Sequence, residues 1–381
     1  MPLTKIQFAP GVNKEGTEYT ADAGWFDSDK VRFRKGRPEK IGGWAKYSSS
    51  SFLGVCRSLH DWASLESIRY IGVGTHLKFY VNQGASFHDV TPIRSTTSAG
   101  DVTFAATNGS STITATDTAH GANVNDFVTF SDAASLGGNV TAAVLNQEYQ
   151  IASVPTANTF TFVAKDTSGT TVTANASDSG NGGSSTVGAY QIGVGLNAYV
   201  EGTGWGAGAW GEGTFGSVSS LSASSQLRLY SQDNFGEDLV FNVRAGGVYY
   251  WDESSGTSNR AVALSALSGA SNTPTAALQV MVSDVDQHVI CFGTNPIGSS
   301  NIDPLFVRWS DQESAADWTP TATNTAGGAR INSGSAIVGA VQSRQEILIF
   351  TDASLHSMRF VGSPFIFQFS TLSTDISMIS P

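Results

Sequence analysis

Charge is scarce in this chain. Lys and Arg number 21 among 381 residues and Asp and Glu number 32, so charged residues make up 14% and the formal net charge is −11. A protein that grips nucleic acid by its phosphates needs clustered Lys and Arg, because its affinity grows with every phosphate neutralised. The overall charge balance therefore argues against tight nucleic-acid binding.

Cysteine and long apolar runs are also scarce. The two cysteines, Cys56 and Cys291, cannot build a disulfide framework, and both stand in apolar, strand-like segments, so we predict two buried free thiols. The N-terminus has no apolar core of a signal peptide, and no run approaches the ~18 apolar residues that a membrane span needs. The sequence thus predicts a chain without a membrane segment that folds in the cytoplasm.

Sequence patterns of common catalytic and metal sites are missing. The chain has no CxxC pair, no histidines at helical i, i+4 spacing, no GxSxG elbow and no GxxxxGK[ST] loop. His60, His76 and His88 would meet only if their strands were neighbours, and ordinary strand histidines explain them more simply. We expect a protein that is not an enzyme and that has no cofactor and no metal.

The residues that are abundant predict an all-β protein. Gly occurs 41 times, and Phe, Tyr and Trp occur 21, 10 and 8 times. Thr and aromatic residues favour strands, whereas Gly and Ser favour turns. The aromatic residues supply enough apolar surface for a folded core, which argues against intrinsic disorder.

Composition divides the chain into three zones. Residues 1–99 hold an extended segment, a hairpin around Lys30–Trp44 and a three-strand meander over Ser67–Val90. Residues 100–187 contain Lys165 but no Arg and are rich in Thr, Ala and Ser, which predicts an inserted small β-sandwich or barrel domain. A Gly/Ser-rich stretch ends this domain.

The third zone, residues 188–381, contains strands that recur at irregular spacing. The runs DLVF, HVICF and EILIF follow one another after ~50 and ~58 residues, and repeats of about this length are typical of β-propeller blades. The glycines of Gly202–Gly216 superficially suggest a phosphate loop. Because no helical pattern follows them, a loop bearing Trp205 and Trp210 is the simpler interpretation.

Several segments together resemble one protein family. They include FAPGVNKEGTEY and GWFDSDKVRFRKGRPEKIGGW in the first zone, and GWGAGAWG, NFGEDLVFNVRAGGVYYWD and HVICFG in the third. The longest runs from Leu305 to Gly362 and includes RWSDQE, DWTP and NTAGG. These sequence segments together resemble the tail-hub, or nozzle, proteins of short-tailed bacteriophages, also called packaged-DNA stabilisation proteins.

The resemblance implies a structural role in the virion. It implies an all-β protein, a β-propeller with the small domain inserted, that forms a ring, as a hexamer, at the distal end of the phage tail. Its partners would be the adaptor (head-to-tail connector) protein, tail fibres or spikes, and the tail needle or tip, with genomic DNA passing through transiently. Members of that family continue through further blades, so we expect either a shortened protein or a sequence that ends mid-propeller.

One basic run offers a candidate site. Six of the 21 Lys and Arg residues lie between Lys30 and Lys40. On a strand, Arg32 and Arg34 share one face while Val31 and Phe33 share the other. We predict a subunit interface at Arg32, Arg34 and Arg37, with a solvated hairpin or a DNA contact as alternatives.

Two other functions stay open: a glycan-binding or glycan-cleaving propeller, and a host-receptor adhesin that acts through the inserted domain. Glycan cleavage would need paired carboxylates at a defined separation. Candidates exist only by abundance at predicted turns: Asp252, Asp284, Asp311 and Asp352. The segment Ser310–Trp318 faintly resembles the Asp-box turn of sialidase propellers but lacks the Gly and Thr before its aromatic residue.

Overall fold

The computed structural model describes residues 9–20, 24–43, 45–175, 178–197, 227–378 and 380. These residues form two compact units, of which the first ends at Ser49 and the second begins at Ser50. Within them, the strands form one two-stranded and six four-stranded sheets, so the all-β prediction is confirmed. Among the described residues, no helix combines the length and the apolar character needed to cross a membrane.

The first unit is built around a single hairpin. It holds a 3₁₀ turn at Glu18–Thr20 and the antiparallel strands β1 (Val31–Arg34) and β2 (Arg37–Lys40). Lys35 and Gly36 make the turn with φ values of 50° and 75°, as a tight two-residue hairpin connection requires. The predicted hairpin is thus present, and Arg37 and Pro38 belong to its second strand.

The second unit opens with a four-stranded meander in chain order. Its strands are β3 (Cys56–Ala63), β4 (Arg69–Thr75), β5 (Phe79–Gln83) and β6 (Ser86–Asp89). The sequence predicted the last three strands but not β3, in which only Trp62 is buried. Its remaining residues are half-buried or exposed, so the strand lacks a clear hydrophobic alternation.

Residues 93–191 form two sheets, which we call the two-sheet module. Its strands are β7 (Ile93–Thr96), β8 (Thr103–Ala106), β9 (Thr112–Thr116), β10 (Phe127–Ser131), β11 (Glu148–Gln150), β12 (Ser153–Thr156), β13 (Thr159–Val163) and β14 (Val187–Gln191). One sheet has the order β11-β10-β14-β7 and the other β12-β13-β9-β8. A short helix, α1 (Ala142–Leu145), begins after Thr141, whose hydroxyl accepts from the Val144 amide. The boundaries predicted at residues 99 and 187 stay predictions.

Three further meanders follow in chain order. The second consists of β15 (Tyr230–Phe235), β16 (Asp238–Val243), β17 (Val248–Trp251) and β18 (Val262–Ala263). The third consists of β19 (Ala277–Val282), β20 (Val289–Thr294), β21 (Phe306–Trp309) and β22 (Gly327–Arg330). The fourth consists of β23 (Ile337–Gln342), β24 (Ile347–Thr351), β25 (Leu355–Gly362) and β26 (Ile366–Ser373). Two 3₁₀ turns, Glu253–Ser255 and Leu264–Ala266, lie between β17 and β19.

Each meander shares its core with the next one along the chain. In β16, Leu239 and Phe241 pack with the first meander, and Phe241 stacks on Phe79 with ring centroids 3.8 Å apart. Val240, between them, packs instead with the third meander. Because successive strand residues point to opposite faces, one apolar strand serves two interfaces. The strand β20 repeats this arrangement between the second and fourth meanders.

The first strands of neighbouring meanders are also joined by hydrogen bonds between side chains and backbone groups. The Val280 amide donates to the Ser231 hydroxyl at 2.8 Å, and the Val282 amide donates to the Asp233 carboxylate at 2.9 Å. The Gln279 side chain both donates to the Ala340 carbonyl and accepts from the Ala340 amide, at 2.8 and 2.7 Å. The strands β15, β19 and β23 are thereby held side by side.

Two sequence predictions need comment. Both cysteines are free, but only Cys291 is fully buried, and burial raises the pKa of its thiol to about 12. Cys56 is half-buried, as are the two residues that follow it in β3. The loop predicted at Gly202–Gly216 and the end of the predicted hairpin at Trp44 lie outside the described residues.

Candidate functional site

The basic hairpin places its arginines as the alternation predicted. Val31 and Phe33 are half-buried, whereas Arg32 and Arg34 are exposed. Arg32 lies opposite Glu39, and its Nε is 3.2 Å from the carboxylate. Since both partners are largely exposed, this ion pair contributes at most about 1 kcal/mol.

Arg34 and Arg37 are arranged differently from Arg32. They are directly opposite each other across the hairpin, and both are exposed. Among the described residues, neither forms a salt bridge. Like charges in opposed positions destabilise a strand pair unless something negative lies between them. The hairpin thus presents a concentrated positive charge that an acidic surface would neutralise.

Three of the four carboxylates considered for glycan cleavage accept hydrogen bonds within separate turns or loops. Asp252 accepts from Ser254 and Ser255, Asp311 accepts from Thr325, and Asp352 accepts from Ser335 and Ala336. Asp284 is exposed between β19 and β20. Hydrogen bonds from Ser254 and Ser335 hold the pKa of Asp252 and Asp352 below the usual value. A general acid needs a raised pKa, so this pattern fits turn acceptors.

A buried polar chain links the loops of the third meander. The His288 ring is fully buried, with Nδ1 bonded to Asp286 and Nε2 2.9 Å from the Thr325 hydroxyl. The order of acid, imidazole and hydroxyl is that of an activated nucleophile. However, the hydroxyl donates to Asp311 at 2.7 Å and accepts from the Gln312 amide at 2.9 Å. The hydroxyl therefore already donates and accepts hydrogen bonds within the protein and is not free to act as a nucleophile. The chain of buried polar side chains holds the loop between β21 and β22 in place.

An ion-pair network, which the sequence did not reveal, joins the two-sheet module to two meanders. Lys78, 4% exposed, pairs with Asp89 at 2.7 Å and also with Glu148 of the module. Arg260, after β17, pairs with Asp89 at 3.2 Å and with Glu148 at 3.3 Å. Burial would raise the pKa of Asp89, but Lys78 and Arg260 outweigh burial and the pKa is lowered. Each charged group in the network has partners of opposite sign, which offset the free-energy cost of removing these charges from water.

No signal in the sequence could have found this network. Lys78 and Asp89 belong to one predicted meander, but Glu148 and Arg260 are distant from them and from each other along the chain. The histidines His60, His76 and His88, for which the sequence favoured ordinary strand positions, have separate partners where the structure gives one. His76 accepts from the Val55 amide, and His60 lies 3.3 Å from Asn234. In the part of the chain that the structure describes, no three His, Cys, Asp or Glu residues are grouped to hold a metal.

No protein-family model matches this chain, and no curated protein sequence matches it. Among solved structures, it is similar to one titled "Phage phi92 endosialidase", with 12% sequence identity and a TM-score of 0.22. The similarity covers 86% of this chain and 44% of that one, so the chain spans less than half of that protein.

Proposed function

We propose that this chain is a structural subunit of the tail of a short-tailed phage, of the nozzle or hub type. In this role it extends and seals the DNA channel below the portal and adaptor, retains the packaged DNA and releases it on host contact. The observation that carries the proposal is the succession of four-stranded meanders with shared cores. The family resemblance of Leu305–Gly362 coincides with the third and fourth of them.

The finer fold that we propose is a β-propeller. Four-stranded meanders that follow one another and pack face to face are the blades of such a fold. The hydrogen bonds among β15, β19 and β23 support this, since the first strands of neighbouring blades lie side by side around a propeller axis. The two-sheet module is inserted between the first two blades.

In this proposal the protein works through its interfaces. It assembles as a homo-oligomeric ring, a hexamer, in the host cytoplasm and ends up in the virion. The ring contacts the adaptor protein, tail fibres or spikes, and the tail needle or tip. Arg34 and Arg37 face an acidic surface of a neighbouring subunit, while Arg32 is partly satisfied by Glu39.

Charge reversal on the hairpin tests the assembly. The double variant Arg34→Glu, Arg37→Glu should shift the purified protein from rings to single chains in sedimentation velocity, with an unchanged circular-dichroism spectrum. Losing one partner of a buried, hydrogen-bonded charge pair at an interface typically costs about 2–5 kcal/mol. Arg359→Glu, an exposed site on β25, is the matched control and should leave assembly intact. If the double variant formed rings of normal stability, the hairpin would not be part of the subunit interface.

Activity assays separate this function from its alternatives. We expect no cleavage of host polysaccharides and only weak, salt-sensitive DNA binding, near or above ~10⁻⁴ M, because a conduit that holds phosphates tightly would resist ejection. Polysaccharide cleavage that is lost in Asp252→Asn or Asp311→Asn would instead establish the glycan-cleaving alternative. Receptor binding that requires residues 93–191 would establish the adhesin.

A further inference from the structure

A cavity of about 330 Å³ opens along the first strands of the second, third and fourth meanders. Its lining is mostly apolar and includes Leu229, Leu278, Val341, Phe350 and Met378. Its size lies at the lower end of the range for small-molecule sites, which bury an apolar body and fix it with a few polar groups.

Arg244 is the charged residue in this lining. It follows β16, and burial lowers the pKa of its guanidinium. Its one side-chain hydrogen bond in the described structure is a long one of 3.4 Å, from Nη1 to the Leu278 carbonyl. A guanidinium carries five N–H donors, so most of its capacity is left for a partner in the cavity. Arg244 is half-buried, so its free N–H groups meet solvent at the cavity, and an anion is the occupant that pairs with them best.

The other polar groups of the lining are already used. The Tyr230 hydroxyl donates to the Thr75 carbonyl at 3.0 Å, and the Ser231 hydroxyl serves Asn242 and Val280. The Gln279 side chain holds the backbone of Ala340 through both its oxygen and its nitrogen. Among the described lining residues, an occupant therefore meets one cation and an apolar wall. The backbone N–H and C=O of Ala340 are already hydrogen-bonded to Gln279.

We propose that this cavity binds an aliphatic monocarboxylate, whose carboxylate pairs with Arg244 and whose chain lies against Leu229, Leu278 and Phe350. A guanidinium matches a carboxylate in a bidentate geometry, and the apolar lining rewards a chain rather than a second charge. This site is independent of the proposed tail function, and it needs only the fold of the second unit.

The test uses the full chain and two probes of equal length, decanoate and decanol, in isothermal titration. Decanoate should bind at least about tenfold more tightly than decanol, because a hydrogen bond to a charged group contributes about 1.5–3 kcal/mol. Arg244→Gln should remove that preference and leave decanol binding unchanged. Arg359→Gln, which is exposed on β25 and outside the lining, should behave as the wild type.

A second variant fills the cavity itself. Val341 is 49% exposed at its edge, so Val341→Trp should occupy the space without unfolding the sheet and should abolish binding of both probes. The proposal is overturned if neither probe binds the wild type. It is also overturned if the two probes bind equally, or if a folded Arg244→Gln protein keeps the preference for decanoate.

Discussion

The two-sheet module and the meanders build their cores in opposite ways. The module has one cluster, from Val102 to Tyr190, and every residue in it comes from the module itself. The meanders have three clusters, and each draws its residues from two neighbouring meanders. A single meander therefore buries neither of its faces alone, whereas the module buries its apolar surface without help.

The module should therefore be stable by itself, whereas the stability of each meander depends on its neighbours. The module begins and ends at one place, since the Ile192 amide donates to the Pro92 carbonyl at 3.0 Å. A segment with its own core and adjacent ends can be removed at little cost in loop closure. Deleting a meander that lies between two others would instead expose the apolar faces of both neighbouring meanders to water.

The largest expected effects come from matched phenylalanine truncations. Phe241→Ala, between the first two meanders, and Phe162→Ala, in the module, each remove a fully buried ring and should each cost about 3–5 kcal/mol. Phe241→Ala should lower the urea midpoint of the meanders as a group. Phe162→Ala should lower the urea midpoint of the module alone. Hydrogen exchange of the amides in β9, β10 and β13 measures this effect. Equal destabilisation of both regions by both variants would break the distinction.

A smaller effect is expected where the two regions meet. Glu148→Gln leaves Lys78 and Arg260 with Asp89 as their remaining carboxylate partner in this network. Because Glu148 is about a third exposed, we expect a loss of about 2 kcal/mol rather than the full cost of a broken buried pair. Glu346→Gln, outside this network, is the control. Unfolding by urea measures both, and a loss below about 0.5 kcal/mol would mean that the network does not stabilise the junction.

The hydrogen bonds between first strands should contribute less again. Gln279→Ala removes both bonds to Ala340, which should cost about 1–2 kcal/mol and loosen β23 from β19. Hydrogen exchange of the Ala340 amide reports this directly. Unchanged protection at Ala340 would show that apolar packing alone sets the register of these strands.

The smallest effect is a dependence on pH. The pKa of Asp89 is lowered in the folded chain, so its contribution is complete above the ordinary Asp value of ~3.9 and is lost as pH falls through the folded pKa. Between about pH 5 and pH 3 the wild type should therefore lose more unfolding free energy than Asp89→Asn. Burial raises the pKa of Asp233, which opposes this trend. A steeper loss in Asp89→Asn than in the wild type would contradict the assignment.

The sequence predicted the strands whose apolar residues form unbroken runs. The predicted run DLVF opens β16 (Asp238–Val243), which is buried on both faces. The strand β15 (Tyr230–Phe235), the first of the second meander, was not predicted. Its residues are mostly polar and half-buried, and hydrogen bonds to β19 hold it in place. The ion-pair network and the Arg244 cavity depend on residues far apart in the chain, so no local pattern announces them.

Negative-stain imaging of the purified chain, with and without residues 93–191, tests the central claim most directly. The account predicts rings with a central opening for the full chain. It predicts the same rings, stripped of projecting density, when a short Gly/Ser linker replaces the module. Single compact particles without an opening would contradict the ring. An insoluble deletion product would contradict the separate core of the module.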